Sequence, residues 1–262
     1  MKKVLMFIYS ILAYLIGFAS ILYWIASVSH LIPEISIDKE PELPFLQALL
    51  INFGWVLLFG LQHSIMARKP VKEVLTKYLP LPIERSTFVL ISGVLLVLLV
   101  SNWQPMGGLV WEISEGTVLY YICYMLFFTG WIILFVSSFL INHFDLFGLR
   151  QTYLELINKP YTELNFKVIS LYKYVRHPLY FGGILGLWAT PRMTITHLVF
   201  AMGLTTYFVV GTLFEERDLK GEFGDLYKAY QARTPMLIPF TKFRSKRRNS
   251  KPAYYREVTE QP

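Results

Sequence analysis

The stretch "LYKYVRHPLYFGG", Leu171 to Gly183, gathers two basic side chains, a histidine and three tyrosines at the threshold of an apolar run. Arg176 offers a planar fork suited to a carboxylate. Pro178 fits the first helical position, where its missing N–H would have no intrahelical partner anyway. His177 then sits at the cap, and Tyr180 at the third position turns back toward the loop. The free N–H groups of such a helix start seat an anionic group. The glycines of "FGGILG" admit close approach of a backbone or a ligand.

Two other stretches carry reactive groups. "NHFDLFGLRQTY" holds His143, Asp145, Arg150, Gln151 and Tyr153 within a few turns. "FEERDLKGEFGDLYKAYQARTPMLIP" sets Glu215, Glu216 and Asp218 beside Arg217. A short amphipathic helix is predicted next, from about Asp225 to Ala232, broken by Pro235. Its Tyr227 and Tyr230 lie three apart and share a face. No His/carboxylate arrangement along the chain has metal-ligand spacing, so a metal-free site is expected. The absence of a strand–glycine–helix unit excludes a soluble dinucleotide-binding domain.

Membrane helices must position these groups. The 262 residues are 54% hydrophobic and 16% charged, with mean hydropathy +0.44, whereas soluble domains carry about a quarter charged residues. Apolar tracts run from Val4 to Val28, Phe45 to Met66, Thr87 to Trp103 and Val118 to Ile141, and a bilayer core needs roughly 20 such residues in helix. The first tract is too long for a signal-peptide core and is read as a retained span. Leu179 to Phe214 exceeds one pass, but "WATPRMTITH" interrupts it: Pro191 and Arg192 suit no lipid-facing helix, and Thr194 is a natural N-cap. The expected fold is an all-α integral membrane protein. Four full transmembrane helices precede a C-terminal hairpin whose short arm ends near Trp188, giving five to six membrane helices.

Charges fix the orientation. Glu34, Asp38, Glu40 and Glu42 oppose Lys39 alone in the first connection; Arg68, Lys69, Lys72, Lys77 and Arg85 fill the second. Glu112 and Glu115 occupy the third, and Arg150, Lys159, Lys167, Lys173 and Arg176 the fourth. By the positive-inside rule both termini and the even connections face the cytoplasm. The net charge of +7 therefore speaks for anionic head groups, not nucleic acid. The chain reads as one domain over 1–262, with N-terminal helices over 1–103, a catalytic core over 118–240 and a flexible basic tail over 241–262. Cys123 is a small buried hydrophobe and no disulfide forms. His30 and His197 are assigned to interface packing.

Arg176, His177, Pro178 and Tyr180, followed by a hairpin and then Glu215, Glu216, Leu219, Phe223, Gly224, Tyr227, Tyr230 and Pro239, resemble the membrane methyltransferases of the isoprenylcysteine carboxyl methyltransferase type. In that family this half holds S-adenosylmethionine at the cytoplasmic membrane surface. The stretches "LQHSIMAR", "IERSTFVL", "NHFDLFGLRQ", "YKYVRHPLYFGG", "LWATPRMT" and "FEERDL" are closer still to the methanethiol S-methyltransferases, which make dimethyl sulfide. This resemblance spans most of the chain and implies a prokaryotic cytoplasmic membrane.

It also implies a division of roles. Methyl transfer is an in-line displacement that needs aim, a dry site and a reactive acceptor. Tyr172, Tyr180, Tyr227 and Tyr230 would face the sulfonium, each contact contributing about 0.5–2 kcal/mol. Arg176 would hold the methionine carboxylate, Glu215 or Glu216 the amino group or ribose hydroxyls, and His177 would orient the cofactor. The thiolate is the competent nucleophile, so a base is required: His143 or Asp145, with Arg150 and Gln151 positioning Asp145 or the cofactor, or His63 as second choice. S-adenosylhomocysteine would leave as product, and no protein partner is implied.

Related "HS" and "RHP" patterns recur in nitrite-and-nitric-oxide-reductase accessory proteins and in a haem-dependent carotene isomerase, so the fold alone does not set the chemistry. The competing expectations are a methyltransferase for a prenylcysteine carboxylate or a lipid amine, a haem isomerase with His63 and His177 on iron, and a membrane scaffold.

Overall fold

The computed structural model describes residues 1–241. Residues 242–262, and with them the expectation of a loose basic tail, lie outside the described residues. The chain is an all-α integral membrane protein. Helices α1 (Lys2–Val28) and α2 (Phe45–Met66) precede a short α3 (Lys69–Leu75) and α4 (Glu84–Ser101). Strand β1 (Leu109–Glu112) leads to α5 (Val118–Ile141), α6 (His143–Leu146) and α7 (Leu149–Leu156). The hairpin comprises α8 (Pro178–Trp188), strand β2 (Arg192–Thr194) and α9 (Ile195–Arg233). Among the described residues, α1, α2, α4, α5 and α9 are long and apolar enough to cross a membrane.

Two of these helices keep the bounds that hydropathy set, while α4 begins earlier, at Glu84 instead of Thr87. Glu84 and Arg85 lower the local hydropathy without interrupting backbone hydrogen bonding. The hairpin turns where "WATPRMT" breaks the pattern, and the Thr194 hydroxyl accepts from His197 N at 3.0 Å, capping α9. The break also forms an antiparallel pair between β1 and β2, with Leu109 opposite Thr194 and Trp111 opposite Met193. Hydropathy gives no sign of this pairing. The amphipathic helix expected after α9 is joined to it: helix continues across Gly224, whose φ of 52° and ψ of −125° mark a kink.

The 11 residues of α8 span about 16 Å at 1.5 Å per residue, roughly half the hydrocarbon core. Glycines let α8 sink against α5. A Cβ on Gly130 would lie 2.5 Å from Gly186 N and 2.6 Å from Gly182 O. The close approach allowed by "FGGILG" is thus to a backbone. A similar contact joins α1 to α4, where a Cβ on Gly93 would meet Gly17 Cα at 2.9 Å.

The two ends of the bundle differ in charge. The basic end is tied by Lys3–Glu155 at 2.8 Å and Arg68–Asp218 at 3.1 Å. At the opposite end His30 and His197 do more than pack. Their rings are bonded at 3.0 Å, and His30 Nδ1 faces Asp38 Oδ2 at 3.3 Å. The potential ligand atoms of His30, Asp38 and His197 lie within 4.8 Å of one another, a metal-compatible spacing formed only by folding, although His30 Nε2 is already bonded to His197 Nδ1.

Replacing Gly130 by Ala should lower stability by roughly 1–3 kcal/mol, since the new methyl meets backbone and no movable side-chain tip. Gly54→Ala, with nothing within 4 Å of its Cβ, serves as control. Thermal unfolding in detergent measures both, and equal midpoints for the two variants would contradict the packing assigned to α5 and α8.

Candidate active site

Glu216 is the polar centre of the basic end. It lies on α9 and is 6% exposed. Arg176 reaches it with Nε at 2.6 Å and Nη2 at 2.9 Å. His177 Nε2 stands at 2.9 Å, the Tyr227 hydroxyl donates at 2.9 Å, and Gln231 Nε2 also donates. Arg176 Nη1 donates to the carbonyls of Thr234 and, at 3.3 Å, Gln231. The backbones join as well: Arg176 N donates to Pro235 O at 2.9 Å and His177 N to Met236 O at 3.1 Å. The start of α8 is therefore bound to the segment beyond α9. The expected ligand-binding roles of Arg176 and Glu216 meet a plain obstacle, because each already satisfies the other.

The tyrosines divide in the same way. Tyr227 and Tyr230 are buried, with ring centroids 5.8 Å apart, against Val168 and Phe166. Tyr230 donates to Tyr172 O at 2.6 Å, and Tyr172 to Ser137 O at 3.3 Å. Burial raises the Tyr172 phenol well above its ordinary value, keeping it neutral. Of the four, Tyr180 alone lines the cavity, and it donates to Glu215 Oε2 at 2.9 Å. His177 Nδ1 stands 3.6 Å from the same oxygen. With its ring committed to two carboxylates, His177 makes a poor iron ligand beside His63.

The cavity itself, of about 480 Å³, falls within the usual range for small-molecule sites. It runs from exposed Asp218 and Glu222 at the basic end to buried Trp24, Leu96 and Leu204. His63 stands on its wall among the rings of Phe59, Phe88 and Tyr207, at centroid distances of 5.7, 4.7 and 5.8 Å. Its Nδ1 is buried without a hydrogen-bond partner among the described residues. The atom shares that state with several other buried side-chain atoms, Trp24 Nε1 among them, and what sets His63 apart is its place on the cavity wall.

The favoured bases lie elsewhere. His143 sits behind the wall, between Ser138 Oγ at 2.8 Å and the Tyr14 hydroxyl at 3.1 Å, stacked on Phe139 at 4.1 Å. Burial lowers its basicity. Asp145 accepts from Arg150 Nη1 at 2.8 Å and from the Tyr161 hydroxyl at 3.3 Å, and does not line the cavity. Arg150 is further held by Thr162, and Gln151 Nε2 donates to Asp145 O at 3.1 Å. The structure thus places Asp145, Arg176, Tyr180 and Glu216 at one end of the bundle, but only Tyr180, Glu215 and His63 among the expected residues face the hollow. Arg85, on the cavity wall, figures in the sequence only as a basic residue of the second connection and as part of "IERSTFVL", with no role in the site; it lies in the first turn of α4.

Comparison with known proteins finds relatives along nearly the whole chain. The chain is 43% identical to the methanethiol S-methyltransferase of Crocosphaera subtropica over 92% of its own length and 94% of the relative's. It is 43% identical to methanethiol S-methyltransferase 1 of Bradyrhizobium diazoefficiens, over 91% of this chain and 83% of that one. The Mycobacterium tuberculosis methanethiol S-methyltransferase is 41% identical over 92% of this chain and 98% of its own. No family model and no solved structure matches the chain. Identity of this degree along nearly the whole sequence makes the chain a member of the methanethiol S-methyltransferase family.

Proposed function

We propose that the protein transfers the methyl group of S-adenosylmethionine to methanethiol at the cytoplasmic face of a prokaryotic membrane, releasing dimethyl sulfide and S-adenosylhomocysteine. Both termini would lie in the cytoplasm, a reading supported by the alternation of basic connections. The observation that carries this reading is the cavity's gradient. Its lining combines charged and polar groups (Tyr180, Glu215 and Glu222 with Arg85 and the Arg68–Asp218 pair), suited to a zwitterionic polar donor, with an apolar depth suited to a small thiol. The relatives' names supply the acceptor.

The roles follow from position. The Tyr180 face and the Glu215 carboxylate would stabilise the sulfonium side of the donor. His63 would take the proton of the thiol, so that the thiolate sulfur forms a bond to the methyl carbon while the carbon–sulfonium bond breaks in line. Thiolate and sulfonium become two neutral sulfides, and a poorly hydrated chamber favours that loss of charge. Glu216 and Arg176 would act beneath this surface by holding α8 and α9 in register.

Purified protein given methyl-labelled S-adenosylmethionine and methanethiol should yield labelled dimethyl sulfide by gas chromatography; a yield equal to the protein-free control refutes the reading. His63→Ala should lose roughly 10²–10⁴-fold in turnover near neutrality, the usual contribution of a general base. Its rate should then climb with pH as free thiolate forms, and a pH profile parallel to wild type removes His63 from the base role. The adjacent carboxylates should separate. Glu216→Gln leaves Arg176 poorly compensated in a buried setting and should cost about 3–5 kcal/mol in detergent unfolding, whereas Glu215→Gln should unfold like wild type and lose activity.

A further inference from the structure

The cavity wall bears two guanidinium groups, Arg68 and Arg85. Arg68 is already paired, with Nη1 at 3.1 and 3.3 Å from the two oxygens of Asp218, and it also covers the Phe214 ring at 4.5 Å. Arg176, whose sequence setting suggested a carboxylate clamp, is buried beneath the cavity and bound to Glu216. Arg85 differs from both. Its Nε donates to Leu146 O at 2.8 Å, and its guanidinium lies over the Phe88 ring at 4.7 Å. These two contacts fix the plane of the group. Neither Nη atom has a hydrogen-bond partner or an ion-pair partner among the described residues, and Glu84, Asp145 and Tyr180 surround it only at longer range. A guanidinium set in a protein wall with its fork empty is a costly arrangement unless an anion arrives.

The geometry points to Arg85 as the binding residue for the carboxylate of an amino-acid-bearing sulfonium donor, with its two Nη groups gripping the two oxygens side by side. The proposal rests on the methyl-transfer reading above and assigns the donor's anionic end within the same site. The chemistry of the cavity is complementary to a zwitterion. Tyr180 and Glu215 provide the acceptor side for an ammonium or sulfonium, and Arg85, near enough to Tyr180 to influence it electrostatically, provides the donor side. A planar fork held at Nε and stacked on a ring loses little freedom on binding, which favours a bidentate carboxylate over a monodentate contact. Arg85 also lies close to His63, whose ring shares Phe88 with it. The donor's carboxylate would therefore settle beside the proposed base and neutralise the guanidinium there.

Calorimetry in detergent with S-adenosylhomocysteine and its decarboxylated analogue tests this directly, because comparing two ligands on one protein sample cancels differences in folding. Wild type should favour the carboxylated ligand by about 10–100-fold, the range expected for hydrogen bonds to a charged group. In Arg85→Met the ratio should fall to near one, chiefly through weaker binding of the carboxylated ligand, and in Arg85→Lys it should be intermediate. If Arg85→Met keeps the wild-type ratio, the carboxylate is held elsewhere and the assignment fails while the methyl-transfer reading stands. If wild type binds neither ligand, the methyl-transfer reading fails and takes the assignment with it.

Discussion

One buried carboxylate organises the basic end of this protein. Glu216 accepts from Arg176, Tyr227 and Gln231 and lies against His177 Nε2, while Arg176 Nη1 also donates to the carbonyls of Gln231, in the last turn of α9, and Thr234, just past it. Isolated, such a charge would be far too costly to bury, and losing any one partner leaves the others exposed to the same penalty. The network therefore behaves as a unit. It fixes where α8 starts, how α9 continues past its kink, and where the following segment lies. Tyr180 and Glu215, the neighbours that line the cavity, inherit their positions from it.

Glu215 and Glu216 show how one helix serves two purposes. Successive residues on an α-helix point about 100° apart, because 3.6 of them complete a turn. Glu216 turns inward to the network at 6% exposure, while the side chain of Glu215 is 43% exposed and reaches the cavity. The result is a rigid foundation beneath a carboxylate that reaches the cavity.

Much of this architecture was legible in the residues. The spans of α2 and α5 follow from hydropathy, the Thr194 cap from its side chain beside a proline break, and the glycines of α8 from the space they leave. These features depend on local composition and period. The site was less legible because its assignments depend on partners far along the chain. Nothing near Arg176 announces that residue 216 will occupy its fork, and nothing near Asp145 tells that it faces Arg150 and Tyr161 instead of the hollow. Arg85 was hidden for the converse reason: hydropathy treats a charge at the end of an apolar helix as a boundary, whereas here it enters the wall of the cavity.

The union of Arg176 and His177 with the backbone of Pro235 and Met236 has a consequence for biogenesis. Ribosomes deliver the chain from its amino end, so all the membrane helices can emerge before the closing segment, which begins at Pro235, exists. A nascent chain arrested before Pro235 would hold its lipid-facing helices, with Arg176 already able to meet Glu216, yet would lack the carbonyls that receive the backbone N–H groups of Arg176 and His177 in the finished molecule. Translation thus completes the membrane scaffold first and the joint between α8 and the segment after α9 last.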